Sequence, residues 1–382
     1  VEILEIMYLS RSSRSLEGPT FKKQKKTHNF KFGIPLNKSG RTEKEKMSKI
    51  TIALLGAGSF GTAIAQLLAQ NGHTVHLWSH EEGVVRTISH ERENKEYLPG
   101  IKLHPNIKPT TDLAVAVCGV RWIFEAIPVA HLRSVLERAR PCATPDQVWV
   151  VLSKGIEQNT LLFPTQIIDD VFQIPIKKAV FAGPSFAHEV ATGAITGVSI
   201  GATDCELGTE LQKILANDYF RPYTTTDMIG VQVGAALKNV ISLGIGLLDG
   251  AGFGDNPKAF LLTRGLQEMC DFAQALGGNS QTMYGFAGVG DLVLTSMGKS
   301  GRNREVGRRI GSGEKLESIM QETGFVAEGI NTLKSVSELA QKHNINAPIC
   351  TGIYDVVFGG KSVQEMMEGI MRDRLGEECS GI

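Results

Sequence analysis

Close to position 50 of this 382-residue chain, an almost unbroken apolar stretch, Ile50-Thr51-Ile52-Ala53-Leu54-Leu55, runs straight into Gly56-Ala57-Gly58-Ser59-Phe60-Gly61. A short run of that kind reads as a strand buried on both faces. Residues 62–70 then carry a helical pattern, Gly72 ends it, and 74–78 read as a second strand. In G-x-G-x-x-G the first glycine permits a tight turn and the second lets the backbone approach a pyrophosphate. The third lets helix and strand pack closely. The helix start offers unpaired N–H groups and a partial positive charge to phosphates. The hexapeptide alone would be a weak signal; strand, loop, helix and strand together point to dinucleotide binding.

The same alternation continues. Strands are predicted at 122–126, 147–152, 178–182, 197–200 and 220–224, with helices at 131–139 and 161–172 between them. This predicts a mostly parallel sheet with helices on both faces. After Asp227 the pattern becomes helical, with segments at 228–248, 257–276, 303–311, 330–342 and 362–371. The reading is an α/β protein: an N-terminal Rossmann-type doubly wound sheet over 47–226, plus an all-helical domain over 227–382. Residues 228–248 nearly match the ~20-residue length of a membrane span. Lys238 stands at their centre beside Asn239, and a central lysine opposes insertion by ~2.5–3.5 kcal/mol. A core helix is expected there, and no membrane span.

Forty Lys+Arg balance forty Asp+Glu, which excludes a strongly basic nucleic-acid binder. The balance is uneven: residues 1–46 carry a net charge of +6 and the remainder −6. Residues 1–46, with Lys22-Lys23-Gln24-Lys25-Lys26, have no sustained apolar period and are read as a disordered or adventitious extension. Met47 looks like a natural start. A nucleic-acid-binding arm is the alternative for that segment. Six scattered cysteines without C-x-x-C or zinc spacing predict reduced thiols in a cytoplasm, and no metal site.

If the loop binds a nicotinamide dinucleotide, a carbonyl reduced by hydride becomes an alkoxide and needs a proton donor. Lys154 ends a buried strand, where ligands of open α/β sheets bind. Lys238 is the lone charge of an apolar helix, where an unpaired ammonium is costly. Two converging ammoniums lower each other's pKa and call for a carboxylate. Asp291, in Gly288-Val289-Gly290-Asp291-Leu292, is the candidate. More blandly, Lys154 is a solvated strand end and Asp291 a turn or helix-cap residue. Ser300-Gly301-Arg302-Asn303-Arg304 suits a phosphate, with Arg302 able to bind it bidentately. After the second strand, the usual ribose-binding acid is replaced by Ser79 and His80, with Glu81, Glu82 and Arg86 beyond. NAD(H) and NADP(H) both stay open.

Together these segments closely resemble the bacterial-type NAD(P)-dependent glycerol-3-phosphate dehydrogenases, from Ile50 to at least Phe358. Residues 56–61, 152–155, 181–187, 237–239, 288–295, 300–304 and 326–329 carry the likeness. The resemblance implies that Lys238 is the proton donor and acceptor, that Lys154 beside it orients the substrate, and that Asp291 supports them. It places Gly183, Ser185, Gly301, Arg302 and Asn303 at the substrate, the last two on its phosphate. It places Gly56, Gly58, Ser59, Phe60, Gly61, His80, Lys154, Ala187, Arg302, Val326 and Glu328 at the cofactor. Many relatives have Ser where this chain has Gly301. The implied reaction is reduction of dihydroxyacetone phosphate to glycerol 3-phosphate, feeding phospholipid synthesis in the cytoplasm, by a homodimer. Competing readings are a 3-hydroxyacid dehydrogenase or ketopantoate reductase, and a non-catalytic sensor of the nicotinamide ratio.

Overall fold

In the computed structural model, which describes residues 49–298, 301–323 and 327–372, one eight-stranded sheet carries the first half of the chain. Its strands are β1 (Thr51–Leu55), β2 (Thr74–Trp78), β3 (Ile107–Thr110), β4 (Trp122–Glu125), β5 (Val148–Val151), β6 (Lys177–Ala182), β7 (Thr196–Ala202) and β8 (Phe220–Thr225). The order is β3-β2-β1-β4-β5-β6-β7-β8. All neighbours run parallel except β6 and β7. Apolar residues on the two faces of the sheet belong to separate cores, Ile52 and Leu54 in one, Ala53 and Leu55 in the other. That is why β1 reads as a continuous apolar run.

The strand missed from sequence is β3, Ile107-Lys108-Pro109-Thr110, which pairs only with β2. Proline cannot donate a ladder hydrogen bond and is tolerated at such an edge. The helix expected at 161–172 starts later, at Pro164, after Asn159 and Leu161 with positive φ; proline suits the first helical position. The extension at 1–46 lies outside the described residues. Cysteine supplies a correction. Cys118 and Cys142, expected as reduced thiols, form a disulfide, because the end of the short helix Leu113–Val117 and the 3-10 helix Arg140–Cys142 place their Cα atoms 4.9 Å apart. Cys205, Cys270 and Cys350 are free thiols, and Cys379 lies outside the described residues.

Beyond β8 the long helix Met228–Gly250, capped by Asp227, is buried along most of its length. Long and apolar enough by composition to cross a membrane, it is here enclosed as the core helix of the helical part. Its glycines are where neighbours press in. A Cβ on Gly246 would lie 2.1 Å from the Arg304 carbonyl, and one on Gly250 2.0 Å from that of Arg308. In return, Cβ atoms on Gly307 and Gly311 would lie 2.1 and 2.2 Å from the carbonyls of Leu243 and Leu247. Both helices thus present glycines four residues apart, and their backbones cross in direct contact. This crossing sets the helix Arg302–Gly311, which begins with Arg302 and Asn303, against the helix that bears Lys238.

Overpacking a tight contact typically costs ~1–3 kcal/mol. Gly246→Ala and Gly307→Ala are each expected to lower unfolding stability by about that much. Gly369→Ala, in a helix where a Cβ meets nothing within 4 Å, should be neutral or stabilising. Urea unfolding of the three variants checks this.

Candidate active site

The glycine loop leaves β1 and enters the helix Ser59–Gln70. Gly56 has φ +105°, and a Cβ there would lie 2.7 Å from the Ala126 carbonyl. A Cβ on Gly61 would lie 2.0 Å from the Gly56 carbonyl, so any side chain would force helix and strand apart. Gly58 differs: a Cβ there meets nothing within 4 Å. The helix start has neither a side-chain cap nor an acidic residue in its first turn. Open space over Gly58 and uncapped N–H groups suit a pyrophosphate, so the residues present fit a dinucleotide.

At the end of β2, Ser79 is buried and its Oγ accepts the Glu81 N–H at 3.2 Å. Glu81 is engaged by the Tyr97 hydroxyl at 2.9 Å. His80 is exposed, its ring 6.5 Å from that of Trp78, and Arg86 is exposed on the next helix.

The two lysines and the aspartate singled out from sequence meet. Asp291 is buried at the start of the helix Asp291–Met297. Its Oδ1 lies 2.5 Å from Lys238 Nζ and its Oδ2 3.4 Å from Lys154 Nζ. Lys238 also donates to Thr295 Oγ1 at 2.9 Å. Burial, helped by the neighbouring Lys154, brings the Lys238 ammonium down to about 8 against the pull of Asp291. A close approach brings these residues together: a Cβ on Gly234 would lie 2.4 Å from the Ala287 carbonyl. Gly234 precedes Lys238 by four residues, and Ala287 precedes Asp291 by four. Lys154 sits 5.4 Å from the ring centre of Phe60, which belongs to the glycine loop. The glycine loop and the lysine pair are therefore neighbours.

Around this cluster, Gly183 follows β6 with φ +154°, and a Cβ there would lie 2.8 Å from Val198 Cα. Ser185 is buried, its Oγ donating to the Gly183 carbonyl at 2.8 Å. Ala187 opens a short helix. Gly301 is the N-cap of the Arg302–Gly311 helix, and a Cβ there would lie 2.7 Å from the Thr295 carbonyl. Glycine thus fits a position that presses on the lysine-bearing cluster. Arg302 is exposed; Asn303 is buried, its Oδ1 accepting the Gly329 N–H at 3.0 Å. Glu328, half-buried, is the neighbour of Gly329 and opens the helix Glu328–His343. Val326 lies outside the described residues. Two polar groups were missed from sequence. Thr295 stands four residues after Asp291 on one helix, hence on the same face. Asn239 Nδ2 is buried with no hydrogen-bond partner among the described residues.

Comparison with known proteins agrees with this arrangement. A family model described as NAD-dependent glycerol-3-phosphate dehydrogenase N-terminus matches residues 51–208, and its C-terminus counterpart matches 227–368. The glycerol-3-phosphate dehydrogenase (NAD(P)+) of Geobacillus thermodenitrificans is 42% identical over 333 residues, covering 87% of this chain and 97% of that protein. That of Bacillus pumilus is 41% identical over 329 residues, covering 85% and 94%. Among solved structures, glycerol-3-phosphate dehydrogenase from Coxiella burnetii matches with TM-score 0.80 and 33% identity over 85% of this chain and 99% of that one. A ketopantoate reductase family protein from Ralstonia eutropha shares the fold alone, at TM-score 0.52 and 14% identity over 85% of this chain and 100% of that one. Matched in order through both its sheet and its helical half, the chain belongs to the NAD-dependent glycerol-3-phosphate dehydrogenase family.

Proposed function

We propose that this chain reduces dihydroxyacetone phosphate to sn-glycerol 3-phosphate with NADH or NADPH, reversibly, with Lys238 as general acid and base. The observation that carries this reading is the buried Lys238–Asp291–Lys154 cluster beside the glycine loop. The residues that would hold the dinucleotide are Gly56, Gly58, Ser59, Phe60, Gly61, His80, Lys154, Ala187, Arg302, Val326 and Glu328; bound there, its reduced nicotinamide supplies hydride to the C2 carbonyl carbon. Lys238 holds the proton that the carbonyl oxygen needs as charge develops on it. Asp291 keeps that ammonium in place, and Thr295 accepts from it, so its direction is defined before substrate arrives.

Lys154 orients the substrate from the opposite oxygen of Asp291. Gly183, Ser185 and Gly301 line the substrate, and Asn239 offers a buried amide to it. Arg302 and Asn303 bind the phosphate. With Oδ1 of Asn303 engaged by Gly329, its Nδ2 is the group that donates. Binding the phosphate away from the reacting carbon supplies orientation for the chemical step. In this reading 47–226 chiefly bind cofactor and 227–382 chiefly bind and protonate substrate. A cytoplasmic homodimer supplying glycerol 3-phosphate for phospholipid synthesis completes it.

The direct test follows nicotinamide absorbance with dihydroxyacetone phosphate, in parallel with NADH and NADPH. Oxidation of either supports the reading, and none with folded, cofactor-binding protein overturns it. Lys238→Ala should lose ~10²–10⁴-fold in kcat, the usual range for a general acid. Arg302→Ala should chiefly raise KM for dihydroxyacetone phosphate.

The pH dependence follows from the sign of the Lys238 shift. Reduction needs the ammonium, so its kcat should fall as pH rises through about 8; oxidation of glycerol 3-phosphate needs the free amine and should rise over the same range. Initial rates in both directions across that range check the crossing.

A further inference from the structure

Glu125 is the last residue of β4, in the otherwise apolar run Trp122-Ile123-Phe124-Glu125, and is completely buried. It lies between Leu55 of β1 and Val151 of β5, at the carboxyl edge of the sheet. An acid in that place must be satisfied by its neighbours, because burying an unpaired polar group is costly. Its contacts go to the loop that leaves its own strand and to the loop that leaves the neighbouring β5. Oε1 lies 2.6 Å from Ser153 Oγ and accepts the Ser153 N–H at 3.4 Å. Oε2 accepts the Ile127 N–H at 3.2 Å.

Ser153 is bonded directly to Lys154. Ile127 follows Ala126, whose carbonyl is pressed against Gly56 of the cofactor loop. One carboxyl group therefore joins the strand exit that carries Lys154 to the strand exit that abuts the glycine loop. Lys154 has a long flexible stem, and its ammonium must reach both Asp291 and the Phe60 ring. Anchoring the residue before it limits where that stem can begin.

We propose that Glu125 is a positioning residue for the reaction: through Ser153 it fixes the backbone from which Lys154 reaches Asp291 and the substrate. The inference rests on the proposed reduction of dihydroxyacetone phosphate, in which Lys154 orients the substrate. Burial drives the Glu125 carboxyl up to about 8, against the hydrogen bonds from Ser153 and Ile127 that favour its ionised form. At neutral pH the group is then mainly the uncharged acid. In that form one oxygen donates to Ser153 Oγ and the other accepts from Ile127. A glutamine keeps the two short contacts, its amide N–H donating to Ser153 Oγ and its carbonyl accepting from Ile127, and gives up only the long 3.4 Å contact from the Ser153 N–H. Leucine fills similar volume and holds neither loop.

The test compares Glu125→Gln, Glu125→Leu and Ser153→Ala with the parent, measuring kcat and KM for dihydroxyacetone phosphate. It also measures the rate of reductive methylation of Lys154 by peptide mass spectrometry. Misplacement of a positioning group can cost up to about 10²-fold, so Glu125→Leu is expected to lower kcat/KM by ~10-fold or more. Ser153→Ala should lower it in the same direction, and Glu125→Gln should restore it to within about twofold of the parent. Lys154 should be methylated faster in the Leu and Ala variants and at the parental rate in the Gln variant. Parental kcat/KM in Glu125→Leu, or equal impairment of the Gln and Leu variants, overturns the proposal. If Glu125→Leu does not fold, Ser153→Ala decides by the same two readouts. If the folded parent fails to reduce dihydroxyacetone phosphate, the functional reading falls separately, and the methylation rates alone decide whether Glu125 positions Lys154.

Discussion

A buried aspartate held between two lysines governs the helical half and the sheet alike. Asp291 receives Lys238 from the core helix and Lys154 from the exit of β5. Removing such charges from water is costly, and the attraction compensates only when geometry is tight and the remaining valences are filled. Thr295 contributes one such filling, donated to by Lys238. Two cations around one carboxylate leave the cluster with a net positive charge. That excess favours an anionic substrate, while burial, with a smaller contribution from Lys154, depresses the proton affinity of Lys238.

Geometry that tight needs backbones that can approach one another, and glycine supplies it. The core helix has glycines at 234, 246 and 250, each facing a carbonyl that a side chain would displace. The first seats the turn that leads to Asp291, and the other two seat the helix that begins with Arg302 and Asn303. The 42 glycines of the chain are more than the ~7% average, and this use accounts for part of the excess. The run that nearly passes for a membrane span is apolar for the same reason: it is surrounded on all sides by other helices and the sheet.

Legibility from sequence divided along clear physical lines. The glycine loop was readable because strand, turn and helix are consecutive and each leaves a local signature. Lys238 was readable because a lone charge in an apolar helix must have a partner. Glu125 obeys the same logic in a strand, yet four residues of β4 give too short a pattern for the anomaly to stand out. The edge strand β3 was hidden by Pro109, and the pairing of Cys118 with Cys142 by 24 residues of separation.

By itself, then, the sequence determined the class of fold, the glycine loop between strand and helix, and the ionisable groups to which the proposed chemistry is assigned. Those features are local: they depend on residue type, on period, and on the cost of burying a charge. Tertiary structure alone decided that one carboxylate is shared by both lysines. It also decided that Phe60 of the cofactor loop faces Lys154, and that Asn303 ties its helix to Gly329. Each of these contacts joins residues far apart in the chain. Their distances are set by how closely helices and strands can pack, which no local pattern encodes.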